Sequence, residues 1–138
     1  MNTSSAVSLR SVVPGLCLIA LLVAGCGGPR VSDVERLPEV QIVYPGSILV
    51  ASGGKDASGM FNPAAVWQAI YQVDAPWSAI KAYYREKLVA LGYVESLGVG
   101  NPTNHYMLGA RTIDLFPDPG PTGTETPPNK FEFQIQQQ

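Results

Sequence analysis

Lys130-Phe131-Glu132-Phe133-Gln134-Ile135-Gln136 alternates polar and apolar side chains without an error. Successive side chains of a strand point to opposite faces, so Phe131, Phe133 and Ile135 share one face and the four polar residues the other. That pattern belongs to an antiparallel sheet with one face on the core and one in water. Such a sheet needs a layer over its apolar face, and the rest of the chain must supply it.

The segment from Asp74 to Tyr93 carries the helix signals. Trp77, Ile80, Tyr84, Leu88 and Leu91 recur at helical spacing, while Lys81, Arg85 and Glu86 fall off that stripe toward solvent. Asp74 is placed to cap the N-terminus and Pro76 fits the first turn, where its missing N–H costs nothing. Gly92 at the far end predicts a stop, with Tyr93 folding back on Leu88. The spacing therefore predicts a helix over residues 75–91.

Other strands surround it. Ala65 to Val73 sets Trp67, Ala69, Tyr71 and Val73 on one face against Gln68 and Gln72 on the other. Tyr44-Pro45-Gly46-Ser47 reads as a type II turn leading into Ile48-Leu49-Val50, a short buried strand, with a loop from Ser52 to Gly59 behind it. Short strands follow from Tyr93 to about Val99, His105 to Leu108 and Thr112 to Phe116, and a Pro/Gly/Thr loop over Pro117–Pro128 precedes the last strand. The expected fold class is α+β, with one main helix on one face of an antiparallel sheet of about 4–5 strands.

The N-terminal 25 residues read differently. Arg10 is their only charge, and the apolar run from Leu16 to Ala24 ends in the small pair Ala24-Gly25. A membrane-spanning helix needs about 20 apolar residues, and this run, even from Val12, has only about 13, broken by Pro14-Gly15. The grammar is that of a cleaved signal peptide. Val23-Ala24-Gly25-Cys26 resembles the lipobox of bacterial lipoproteins, which implies cleavage between Gly25 and Cys26 and a fatty-acylated diacylglyceryl group on Cys26. Cys17 lacks the small pair and leaves with the leader. Cys26 then has no intramolecular disulfide partner, which favours lipid over a lone exported thiol. The resemblance implies an extracytoplasmic protein anchored in the cell membrane or outer membrane, several acyl chains holding it where one would not.

Three segments are thus expected: signal peptide 1–25, lipidated N-terminus and flexible tether 26–39, and a single globular domain 40–138. The whole sequence has 9 Lys and Arg against 11 Asp and Glu, net −2, and Arg10 departs with the leader. No basic cluster offers itself to phosphates, which excludes nucleic acid as the expected partner. Tyr44-Pro45-Gly46, Tyr71, Pro76, Ile80, Tyr83-Tyr84, Leu88 and Gly92-Tyr93 resemble a module of uncharacterised exported bacterial proteins, a likeness that implies the fold and no activity.

Catalytic signals are sparse. His105 is the only histidine, and no HExxH, CxxC or EF-hand pattern occurs, so no catalytic, cofactor-binding or metal-binding residues are expected. His105 with Asp114 is the least unfavourable acid–base pair, and a surface histidine beside a turn is its plainer reading. Gly53-Gly54-Lys55 fails as a phosphate loop because Leu49 stands where the first Gly belongs and Asp56 where Ser or Thr belongs. Asn101-Pro102-Thr103 is no glycosylation acceptor, since Pro holds the middle position. Trp67, Tyr71, Trp77, Tyr83, Tyr84 and Tyr93 are expected mostly in the core, with Tyr83 at the stripe's edge. Two functions remain: a non-catalytic envelope lipoprotein whose domain binds or organises another envelope protein, and a domain that binds a small apolar or lipidic ligand between helix and sheet. A packed core with a bare sheet edge favours the first; a connected apolar cavity favours the second.

Overall fold

Six strands form one open antiparallel sheet in the order β1-β2-β6-β5-β4-β3. The structure, a computed structural model, describes residues 28–96, 104–118, 125 and 128–138. The strands are β1 (Ile48–Lys55), β2 (Ala65–Val73), β3 (Val94–Ser96), β4 (Asn104–Leu108), β5 (Arg111–Asp118) and β6 (Asn129–Gln137). The main helix, α2 (Trp77–Ala90), carries the chain from β2 to the far edge; β3, β4 and β5 then step back until β6 closes against β2. The fold is α+β, with one more strand than the largest number expected.

The alternating strands meet in register. Trp67 lies opposite Ile135, Ala69 opposite Phe133 and Tyr71 opposite Phe131, and Ile113 and Leu115 continue the same rows on β5. All of these are buried. Over them α2 lays Trp77, Ile80, Tyr84 and Leu88, with the Tyr84 ring stacked on Phe133 at 5.1 Å and edge-on to Phe131 at 5.7 Å. Edge-to-face and offset contacts of this kind add to the area term that drives burial. Leu91, expected in the stripe, is 42% exposed, because the helix ends at Ala90 and turns away.

That ending is the Schellman motif expected at Gly92. The Tyr93 N–H donates to the Leu88 carbonyl at 3.0 Å and the Gly92 N–H to the Val89 carbonyl at 2.9 Å, with Gly92 at φ 92°, a conformation only glycine adopts freely. The N-terminus departs from expectation. Pro76, not Asp74, is the capping residue, and it makes no side-chain cap bond. Glu125 supplies the acceptors instead, its carboxylate taking the Ser78 N–H at 3.1 Å and the Ser78 hydroxyl at 2.5 Å. A carboxylate there also meets the positive end of the helix dipole.

Two further expectations are corrected. Ile48-Leu49-Val50 is a strand, but an exposed one, with 68%, 54% and 50% of these residues open to solvent; β1 is an edge strand, and α2 covers the middle of the sheet. β1 also runs on through Gly53-Gly54-Lys55, which are ladder residues rather than a loop. The turn before it is as expected, with the Ser47 N–H on the Tyr44 carbonyl at 3.0 Å and Gly46 at φ 78°.

The domain also begins before residue 40. Residues 31–41, assigned mostly to a tether, form a helical turn, α1 (Val31–Val34), and a 3-10 turn (Pro38–Gln41). Val34 is fully buried, and Val31, Leu37 and Val40 pack on the core. Glu39 is 2% exposed; one of its carboxylate oxygens accepts from the Tyr93 hydroxyl at 2.7 Å and from Arg111 Nη1 at 2.9 Å. Arg111 in turn donates through Nε to Gln137 at 3.1 Å. Burial, and then the Glu39 carboxylate, push the Tyr93 phenol above its ordinary range, so it stays a donor.

Candidate functional site

Among the described residues β1 hydrogen-bonds to β2 on one side and to no other strand. Its free edge is a row of backbone donors and acceptors of the kind an extended peptide can pair with. Ile48, Leu49 and Val50 flank that row, and a register shift between Leu49 and Ala51 kinks it, a device that blunts an edge without closing it. Beyond Lys55 the chain turns through Asp56–Ala64. Within it the Ser58 N–H bonds the Asn62 carbonyl at 2.8 Å, closing a 3-10 turn (Gly59–Phe61). At its tip Met60 is 90% and Phe61 100% exposed. Apolar side chains so placed gain nothing from burial in the fold.

The helix-free face of the sheet is mixed, carrying Val66, Ile70 and Phe116 among polar residues, and one of its rows is polar throughout. Gln68, Gln134, Asp114, His105 and Ser96 form one transverse row across five strands. Register thus brings together the pair singled out in the sequence, with His105 Nδ1 2.6 Å from Asp114 Oδ1. The carboxylate side chain is 11% exposed and the imidazole 32%. Ser96 is the next residue of the row, yet among the described residues no serine hydroxyl bonds the imidazole. The pair as it stands orients one ring against one carboxylate. A proton relay needs in addition a nucleophile bonded to the other ring nitrogen. In the neighbouring rows Lys130 meets Asp118 at 2.9 Å, and burial followed by the Asp118 charge raises the Glu132 carboxyl above its ordinary range.

Between α2 and the β3–β4 edge lies an open groove of about 290 Å³, lined by Ser78, Lys81, Arg85, Glu95 and Tyr106 among others. Arg85 spans it to Glu95 at 2.9 Å. Under α2 itself the space is filled by side chains. Trp67, Tyr71, Trp77, Tyr84 and Tyr93 are all core residues. Tyr83, expected at the stripe's edge, sits there half-buried and donates its hydroxyl to the Val43 carbonyl at 3.0 Å, closing the rim against Tyr44.

Gly25 and Cys26 lie outside the described residues, as do the rest of the leader and Asn101-Pro102-Thr103. Among the described residues no helix is long and apolar enough to cross a membrane, and no group of three or more His, Cys, Asp and Glu is placed to hold a metal ion. No family model, curated protein or solved structure matches the chain.

Proposed function

We propose that this chain is a lipid-anchored bacterial envelope protein, tethered through Cys26, whose domain is a non-catalytic docking module for an extended segment of another envelope protein. The observation that carries the docking reading is the free edge of β1, eight residues long, exposed throughout and flanked by Ile48, Leu49 and Val50. Backbone pairing along such an edge supplies affinity, and pockets for alternate side chains supply selectivity. The ligand reading, with an apolar or lipidic molecule between α2 and the sheet, has less support, because Tyr84, Phe131 and Phe133 fill that layer. His105 and Asp114 are assigned to holding β4 on β5 rather than to chemistry.

Site-specific photo-crosslinking in intact cells tests the docking reading. A crosslinker at Ser52 on β1 should give a discrete protein adduct, whereas one at Lys81 on α2 should not. Adding Leu49→Lys and Val50→Lys to the Ser52 probe should remove the adduct without loss of fold, since both side chains already face water. Equal yields at the two positions would overturn the assignment.

A further inference from the structure

We infer that the Met60–Phe61 turn is a second membrane contact, seated in the bilayer interface beside the lipidated N-terminus. The inference rests on the reading of Cys26 as the lipid-bearing residue and adds to it where the domain must sit. Cys26 is two residues from Gly28, and an extended chain advances at most about 3.6 Å per residue, so Gly28 lies within roughly 7 Å of the anchor.

Gly28 is not on a free tether. A β-carbon built on it would stand 3.2 Å from that of Ala57. The Ala57 N–H donates to the Pro29 carbonyl at 3.1 Å, and the Val31 N–H donates to the Asp56 carboxylate at 2.7 Å. The first described residues are therefore tied to the segment that leads into the exposed turn, three residues before Met60. Whatever holds Cys26 at a bilayer also brings Met60 and Phe61 to it. Both side chains are almost wholly exposed, and one lipid-facing use accounts for two adjacent apolar residues that pack on nothing in the domain.

The charges around the turn agree with this. Arg30 and Lys55, each in a segment joined to the turn, are exposed and suit anionic headgroups. The nearby acids are engaged by backbone N–H groups, Asp33 by Arg30 and Asp56 by Val31. With the turn at the bilayer, the Lys55 end of β1 is its membrane-proximal end and Ile48 its distal one. The free edge then points into the space where an envelope partner would meet it.

Depth measurement on the full lipidated protein tests the inference. Met60→Cys, which keeps Phe61, and Phe61→Cys each carry a nitroxide label after reconstitution into vesicles of phosphatidylethanolamine and phosphatidylglycerol. Val89→Cys, on the exposed face of α2, is the aqueous reference. Labels at 60 and 61 should be several-fold less accessible to a water-soluble nickel chelate, and more accessible to oxygen, than the label at 89. Intact mass of the same samples reports the lipid on Cys26. Labels at 60 and 61 as wet as that at 89, on protein that carries the lipid, would overturn the membrane contact and leave the anchor standing. Protein without the lipid would overturn both.

Discussion

Replacing Gly54 by Ala, alone and together with Val31→Ala, tests whether the N-terminal strap is part of the domain. A β-carbon at residue 54 would lie 2.1 Å from Val31 Cγ2 and 2.6 Å from the Val66 carbonyl oxygen. Neither neighbour yields easily. Val31 is β-branched and stiff at χ1, and Val66 belongs to β2, which is paired on both sides. Forcing a methyl group into such a site costs about 1–3 kcal/mol, where a compatible Gly→Ala change would stabilise by about 0.4–1 kcal/mol. Val31→Ala alone trims a half-buried side chain and should cost about 1 kcal/mol. In the double variant the new methyl enters the space vacated by Cγ2, leaving the 2.6 Å contact with the Val66 carbonyl oxygen and a looser one at 3.3 Å with the β-carbon that remains at residue 31. The double should therefore be less damaging than the sum of the singles by at least about 0.5 kcal/mol. Equilibrium urea unfolding followed by fluorescence reads this directly, since Trp67 and Trp77 are both buried. Additivity within about 0.3 kcal/mol would mean that Val31 does not sit on Gly54, and the packed strap would be refuted.

Two further outcomes are expected. The Tyr106 hydroxyl is buried with no hydrogen-bond partner among the described residues, and burial, then the Glu95 charge, push its pKa up to about 12, so it is a neutral group left unpaired. Tyr106→Phe should raise the unfolding midpoint; a lowered one would mean that the hydroxyl is satisfied. Glu132 has its carboxyl raised in the folded state, so the stability it contributes is complete below the ordinary carboxylate range and lost as pH rises through the folded value. Glu132→Gln should thus be more stable than the parent at pH 7 and equal to it below about pH 4, and a difference independent of pH would exclude this cause.

Where periodicity was strong, the sequence was legible. The last strand, Ala65–Val73 and the helix end at Gly92 each depend on residues within one element, and each stands where its pattern places it. The misses are non-local. Asp74 has the right type and spacing for a cap, but Glu125, distant in sequence, takes the role. Ile48-Leu49-Val50 looks like a buried strand because apolar runs usually are, yet burial depends on where the strand falls in the sheet order, which its own residues do not encode. In the sequence His105 and Asp114 stand out only as the least unfavourable acid–base pair, and only the register of β4 on β5 explains why they touch.

The strap carries the most consequence. Val31, Val34, Leu37 and Val40 recur every three residues, the spacing of a 3-10 helix, but the intervening Pro and charges suggest a linker. Reading it as packed changes the geometry of anchoring. A tether of about a dozen residues would let the domain sample distances of about 20 Å from its anchor and every orientation. A strap bonded from Pro29 onward to the segment after β1 removes that freedom. Under the proposed anchoring through Cys26, orientation then follows from the fold, because one end of β1 is bound to the N-terminal strap and its free edge extends away from it. A short edge strand held at a fixed height and angle meets its partner at a higher effective concentration than the same strand on a flexible leash. The burial of Val34 and Glu39 is thus the link between the proposed attachment and the proposed docking edge.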